Sequence, residues 1–183
     1  MPKDFKEKWP NKVAIIDCTE LKIQVPSSLV KQSQSYSNYN STNTLKGLVG
    51  VDAKGGFLFA SQLYTGSISD KQIVHRIGFI KLLQQKLSFK EVLPGDAIMA
   101  DKGFAIESDL KKLNLALNIP PFLGTDAQFD ESDVIKTQTI ARHHIHVERA
   151  IGKVRQLKIF SSPLPVAISG VFAALEAISW IPF

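Results

Sequence analysis

KVAIIDCTELKIQV, residues 12–25, has the two-residue period of an extended strand. Val13, Ile15, Thr19, Leu21, Ile23 and Val25 share one face, and Asp17 falls on that same face. The opposite face begins apolar (Ala14, Ile16, Cys18) and turns polar at Glu20, Lys22 and Gln24. The strand therefore starts buried on both sides and emerges to one-sided burial, as a strand does in a sheet covered by helices. Asp17 is the anomaly. A lone carboxylate among buried apolar residues is costly unless it is paired, protonated or bound to a metal.

Downstream, KQSQSYSNYNSTN (31–43) reads as one long polar loop, and TLKGLVGVDAKGGFLFASQLYTG (44–66) as two strands around an Asp-Ala-Lys-Gly-Gly turn. SDKQIVHRIGFIKLLQQKL (69–87) shifts to helical spacing, with Ile73, Ile77, Ile80 and Leu83 on one side and Ser69-x-x-Gln72 as a capping box. PGDAIMADKGF (94–104) holds a short apolar strand, ESDLKKLNL a short helix, and LNIPPF (117–122) a last strand ended by prolines. A long helix from about 131 to 158 follows, with Asp130 as its N-cap. The order β-β-β-α-β-α-β-α implies an α/β fold, a mixed sheet flanked by helices.

The chain has 183 residues, 44% of them apolar and 21% charged, values of one globular domain rather than a disordered one. A single cysteine excludes an internal disulfide framework and suits a reducing, intracellular setting. The polar opening MPKDFKEKWP is no signal peptide. The apolar run between Pro165 and Glu176 is about half the ~20 residues of a membrane span, so a buried or partner-packed helix is expected there and no membrane.

Formal charge is +5, and all of that excess lies between Lys136 and Lys158. Six cations there (Lys136, Arg142, Arg149, Lys153, Arg155, Lys158) face one acid, Glu148. A basic stripe on a helix points to a polyanion, most simply nucleic acid; a solvated face is the plain alternative. Arg142 and Arg149, seven apart, share a face and suit phosphate contacts. Tyr36 and Tyr39 could stack on unpaired bases or simply pack in their loop.

Three acids suit a shared site. Asp17 sits on the buried strand, Asp101 ends the strand AIMAD, and Glu148 lies at the edge of its helix's apolar stripe, leaning toward the sheet, with Gly152 leaving space beside it. Carboxylate oxygens are ligands for hard divalent ions, and two such ions about 4 Å apart serve in-line phosphoryl chemistry.

The blocks IIDCTE, YSNYNSTNTLKGLVGV, GSISDKQI, PGDAIMADKGF, IPPF and ARHHIHVERAIGKVR, in this order, resemble the DDE superfamily endonuclease domain of PIF/Harbinger-type transposases over roughly residues 12 to 160. The resemblance implies an RNase H-like fold and a DDE triad binding two Mg2+ or Mn2+ ions. Water then attacks a phosphodiester at the transposon end, and the freed 3′-hydroxyl attacks target DNA. Carried over, the triad is Asp17, Asp101 and Glu148, with Lys102 where arginine is commoner, and Arg142, Arg149, Lys153 and Arg155 would hold DNA. It further implies a nuclear location, a homo-oligomer on DNA and a Myb-like DNA-binding partner.

Asp70, in the GSISDK block, reads as an acid in a capped helical first turn or as a neighbour of the metals. His144, four before Glu148, reads as its orienting partner or as an exposed histidine, and His143 with His146 makes a poor zinc pair. Relatives usually carry an N-terminal DNA-binding region, whereas this chain opens with a short extension (1–11) before the domain (12–160). The apolar, helical tail (161–183) drifts from the family's closing helix, as in a fragment, a truncated gene model or a decayed copy. A catalytically inactive DNA-binding remnant, or a regulatory partner of a related transposase, is therefore the alternative function.

Overall fold

The computed structural model describes residues 11–120 and 131–167. Its centre is β1 (Lys12–Lys22), antiparallel to β3 (Thr42–Val51) from Ile15↔Val51 to Lys22↔Thr44. On its other side β1 runs parallel to β6 (Ala97–Met99), which runs parallel to β7 (Ala116–Asn118). The far edge of β3 is shared by β2 (Tyr36–Ser37), β4 (Phe57–Ala60) and β5 (Tyr64–Thr65). Antiparallel pairing on one side of β1 and parallel pairing on the other is the mixed sheet of an RNase H-like α/β fold.

Both faces of the sheet are covered. Ala14 and Ile16 point into a core shared with α2 (Asp70–Arg76), α3 (Phe79–Ser88) and α4 (Glu107–Lys111), centred on Phe59, Phe79 and Phe104. Ile15 points the other way, with Val49, Val51 and Met99, against Ile140, Val147, Ala150 and Ile151 of α5 (Glu131–Arg155). The double apolar start of β1 thus serves two helical layers. The polar stretch at its end borders a smaller cluster of Ile23, Leu45 and Leu164, where Ile23 bridges Leu164 in parallel.

Three local expectations change. The segment 31–43 is not one loop: α1 (Leu29–Ser35) and β2 occupy its first half. Asn43 secures this helix by donating from Nδ2 to the Gln32 carbonyl (2.7 Å) and to Ser35 Oγ (2.8 Å). The helix expected over 69–87 is two helices, because Gly78 adopts φ +70, a left-handed conformation that ends one helix and re-aims the chain into the next. The long helix stops at Arg155, and Lys158–Phe160 forms a 3-10 turn.

Other readings hold. Ser69 caps α2, its Oγ accepting from Gln72 N while Gln72 Oε1 accepts from Ser69 N. The hairpin turn closes on Asp52, whose Oδ1 accepts from Lys54 N and Gly56 N, with Gly55 at φ +83. Asp130 and the apolar C-terminal segment from residue 168 lie outside the described residues. Among the described residues no helix is long and apolar enough to cross a membrane.

Gly50 marks a point of close packing in the sheet. A Cβ there would stand 2.1 Å from Cε1 of Phe59, a ring only 1% exposed. Gly50→Ala must displace that ring, and a loss of about 2 kcal/mol is expected. Urea unfolding measures it, and an unchanged midpoint would mean that the core yields more than its packing suggests.

Candidate functional site

The register of β1 and β6 sets the site. Ile15 pairs with Met99, the last residue of β6, so Asp17 and Asp101 each stand two residues beyond the end of that parallel pairing. Asp17 follows Ile15 on the face toward α5, and its Oδ1 accepts from the Cys18 N–H at 2.7 Å. Burial pushes its carboxyl up to about 6; the His144 ring and the Cys18 N–H pull against that shift, while the charges of Asp101 and Asp70 add to it. Asp101 is exposed, and its Oδ1 accepts from Lys102 N at 2.7 Å.

Helix α5 supplies the opposite wall. Ile140, Val147, Ala150 and Ile151 anchor it to the sheet, which turns His144, Glu148 and Gly152 toward a cleft of about 740 Å³. Asp17, Asp101 and Glu148 all line that cleft. Glu148 does not lean into the sheet as expected: its side chain is 63% exposed, with Oε1 3.6 Å from His144 Nδ1. Among the described residues no group of three His, Cys, Asp or Glu side chains stands close enough to hold a metal ion. The expected triad therefore shares one cleft without closing on a single point.

His144 is not the exposed helical histidine of the plain reading. Its side chain is 14% exposed, it lies 3.6 Å from Glu148 Oε1, and its charge bears on Asp17. His143 is buried at 5%, and neither it nor His146 lines the cleft. Gly152 has open space where a Cβ would stand, as expected.

Asp70 lines the cleft as well as opening α2, so both readings of it meet. Its Oδ1 lies 2.7 Å from Lys46 Nζ, an ionic contact rather than a well-directed hydrogen bond. Lys46 also faces Glu20 Oε1 at 3.7 Å and donates to the Ile68 carbonyl. Burial alone would lower the Lys46 ammonium's pKa; the Asp70 contact and the Glu20 charge outweigh it and leave the pKa raised. Burial, with Asp70 close by, pushes the Cys18 thiol far up, so it stays protonated and is no nucleophile. A Cβ on Gly103 would lie 2.5 Å from Asp70 Oδ2, so any larger residue in the Asp101-Lys102-Gly103 turn would push the Asp70 carboxylate aside.

Lys46 and Glu20 are the cleft residues that local pattern misses. They pair directly across β1 and β3, a half-buried cation opposite a half-buried anion, a register that only the fold reveals. Glu20 Oε2 also accepts from Asn40 Nδ2 and Thr44 Oγ1, both at 2.8 Å, which ties the polar segment to the cleft rim. Tyr39, 92% exposed, sits on that rim, whereas Tyr36 does not line the cleft.

The basic residues divide. Arg142, Arg149 and Lys153 are exposed on α5 outside the cleft lining. Arg155 borders the cleft, and its Nη2 donates to Thr19 Oγ1 (2.9 Å) and the Glu20 carbonyl (3.4 Å), clamping the end of α5 to β1. Lys102 is exposed beside Asp101.

A family model described as DDE superfamily endonuclease matches residues 16–181. The chain is 27% identical over 123 residues to the putative nuclease HARBI1 of Xenopus laevis, a match covering 67% of this chain and 29% of that protein. The chain thus spans under a third of that relative's length. No solved structure matches it.

Proposed function

Because this chain belongs to the DDE superfamily endonucleases, we propose that it cuts and joins DNA phosphodiesters with two Mg2+ or Mn2+ ions held by Asp17, Asp101 and Glu148. One observation carries the reading: two acids beyond the end of the parallel pairing of β1 with β6 and one from the helix across them line the same cleft.

Carboxylate oxygens are the donor type that hard divalent ions take, and an ion bound there would have to draw the three acids together. Asp17 and Asp101 offer oxygens, and the Asp17 carboxyl, raised chiefly by burial and further by the charges of Asp101 and Asp70, is one that a cation would favour in its charged form. Metal bound there would supply Lewis acidity at the phosphoryl group and make an attacking water more acidic. The chain's own residues do the rest. Arg142, Arg149 and Lys153 present positive charge along α5 for the DNA backbone, and Arg155 holds the helix end in place from the cleft's edge. Lys102 adds a cation beside Asp101. Tyr39 offers a ring to an unpaired base at the rim. Assembly as a homo-oligomer on transposon ends and target, a Myb-like partner and a nuclear location belong to the same proposal.

Exposure of Glu148 favours a second reading, a remnant that binds DNA without cutting it, or a regulatory partner of a related transposase. The two part on plasmid nicking. The enzyme nicks supercoiled DNA only with Mg2+ or Mn2+, and Asp101→Ala and Glu148→Ala abolish the reaction with the fold intact. The remnant binds DNA in a salt-sensitive way that neither metal nor the acids affect. Cleavage that survives Asp101→Ala ends the proposed mechanism.

A further inference from the structure

We propose that a second cavity, beside the cleft, seats one unpaired nucleotide of the DNA strand that the cleft holds. The inference rests on the DNA-processing reading above and deepens it, by naming the form of DNA preferred: a strand with one base out of its stack.

The cavity has a volume of about 360 Å³ and lies between the end of β1, the β2–β3 turn and the segment that follows α5. That is the small end of ligand-binding cavities, room for a nucleotide but not for a stacked base pair. Glu20, Asn40 and Arg155 line both spaces, so the two share a rim and a strand in the cleft passes beside the cavity.

Its walls are held in place by the fold. Leu164 N donates to the Lys22 carbonyl (2.8 Å) and Gln24 N to the Leu164 carbonyl (2.9 Å), which adds the later segment to the end of β1. Ser161 Oγ donates to the Lys158 carbonyl (2.7 Å). Opposite, Asn40 N donates to Ser37 Oγ (3.2 Å) and Asn40 Nδ2 to Glu20 Oε2 (2.8 Å), fixing the turn. A cavity braced on both sides pays little ordering entropy when it is filled.

The lining is mixed in the way a nucleotide requires. Leu21, Leu164 and the half-buried Phe160 give an apolar surface with one ring face, which suits a flat base better than a bare phosphate. Asn40 keeps its amide oxygen for a base edge, its Nδ2 being engaged, and Ser162 adds a hydroxyl. Lys22 and Arg155 bring positive charge for the backbone. Glu20 does not oppose it, since Lys46, Asn40 and Thr44 already engage its carboxylate. Tyr39, next to Asn40, stands on the cleft side, where its ring meets a base leaving the stack.

Fluorescence anisotropy of the full chain, in EDTA so that no strand is cut and at one fixed salt concentration, tests this with three DNAs. They are a plain duplex, the same duplex with one bulged nucleotide, and the same bulge made abasic, which keeps the backbone and deletes the base. Wild type is expected to bind the base-bearing bulge about tenfold more tightly than the abasic one, the size of one base–aromatic stack. Ser162→Trp, an exposed position from which the indole fills the cavity, should make the two bulges equal while plain duplex binds as before. Phe160→Leu should lower the preference severalfold. A wild type that does not distinguish the bulges, or a preference retained in full by either folded variant, overturns the nucleotide seat and leaves the DNA reading standing on duplex binding. A wild type that binds none of the three DNAs overturns both. Should Ser162→Trp not fold, Phe160→Leu decides, because leucine keeps the apolar packing against Ile23, Leu45 and Leu164.

Discussion

Near pH 7 in EDTA, Asp17→Asn is expected to be more stable than wild type by up to about 3 kcal/mol, and yet to lose metal-dependent nicking altogether. The stability arises from proton linkage. In the fold the Asp17 carboxyl titrates at about 6 against an ordinary 3.8, chiefly because it is buried. Below the lower value both folded and unfolded chains carry the proton, and stability is full. As pH rises through the interval the unfolded chain releases its proton first, so stability falls by about 1.4 kcal/mol per pH unit. Above about 6 the loss is complete and the curve is flat. Asparagine keeps the shape, can accept from the Cys18 N–H through its amide oxygen, and carries no charge to lose. The two proteins should therefore converge near pH 4 and diverge by pH 7 in urea unfolding. Under the proposed function, divalent metal is expected to narrow that gap, since an ion held by the Asp17 carboxylate would stabilise the folded wild type alone. Equal stability of the two at pH 7 would remove the claim that Asp17 is an uncompensated buried acid. A metal-induced rise in melting temperature retained by the variant would remove Asp17 from the metal site.

Asp17 was legible because a strand's period of two makes a charge on the wrong face conspicuous within a few residues. Asp101 was legible for a similar reason, standing where a short apolar run stops. The order of strands and helices followed from alternation and turn chemistry. What stayed hidden depends on contacts between distant segments. Helix α1 has a polar sequence with no apolar stripe and is tied down by Asn43, eight residues past its end. Spacing could not show the break at Gly78, because Ile73, Ile77, Ile80 and Leu83 keep helical period across it. The burial of His144 and the exposure of Glu148 likewise depend on how α5 is rotated against the sheet. Four residues apart on one helix face, both line the cleft, yet they differ by 14% against 63% exposure.

Lys46→Met is expected to destabilise the protein by about 3 kcal/mol, although methionine packs well and the site is only half enclosed. The loss arises from what remains behind. Lys46 is the cation between two largely buried acids, with side-chain exposures of 8% at Glu20 and 24% at Asp70. Removing it leaves two carboxylates facing each other across a low-dielectric gap, and breaking such a pair costs more than replacing it whole. The double change Lys46→Met with Asp70→Asn should therefore recover part of the loss, leaving Glu20 on its hydrogen bonds from Asn40 and Thr44. The raised pKa of Lys46 fixes the pH range of the effect: a raised ammonium stabilises fully through neutral pH, and that contribution fades only above the ordinary lysine range. There is also a consequence for the site. Asp70 fills the space beside Gly103, so an Asp70 released from Lys46 shifts against the turn that carries Asp101. The single variant should thus lose metal affinity as well as stability, while the double variant regains stability first. A Lys46→Met protein that unfolds within about 0.5 kcal/mol of wild type would show the cluster to be solvated, and the cleft floor would then owe its shape to packing alone.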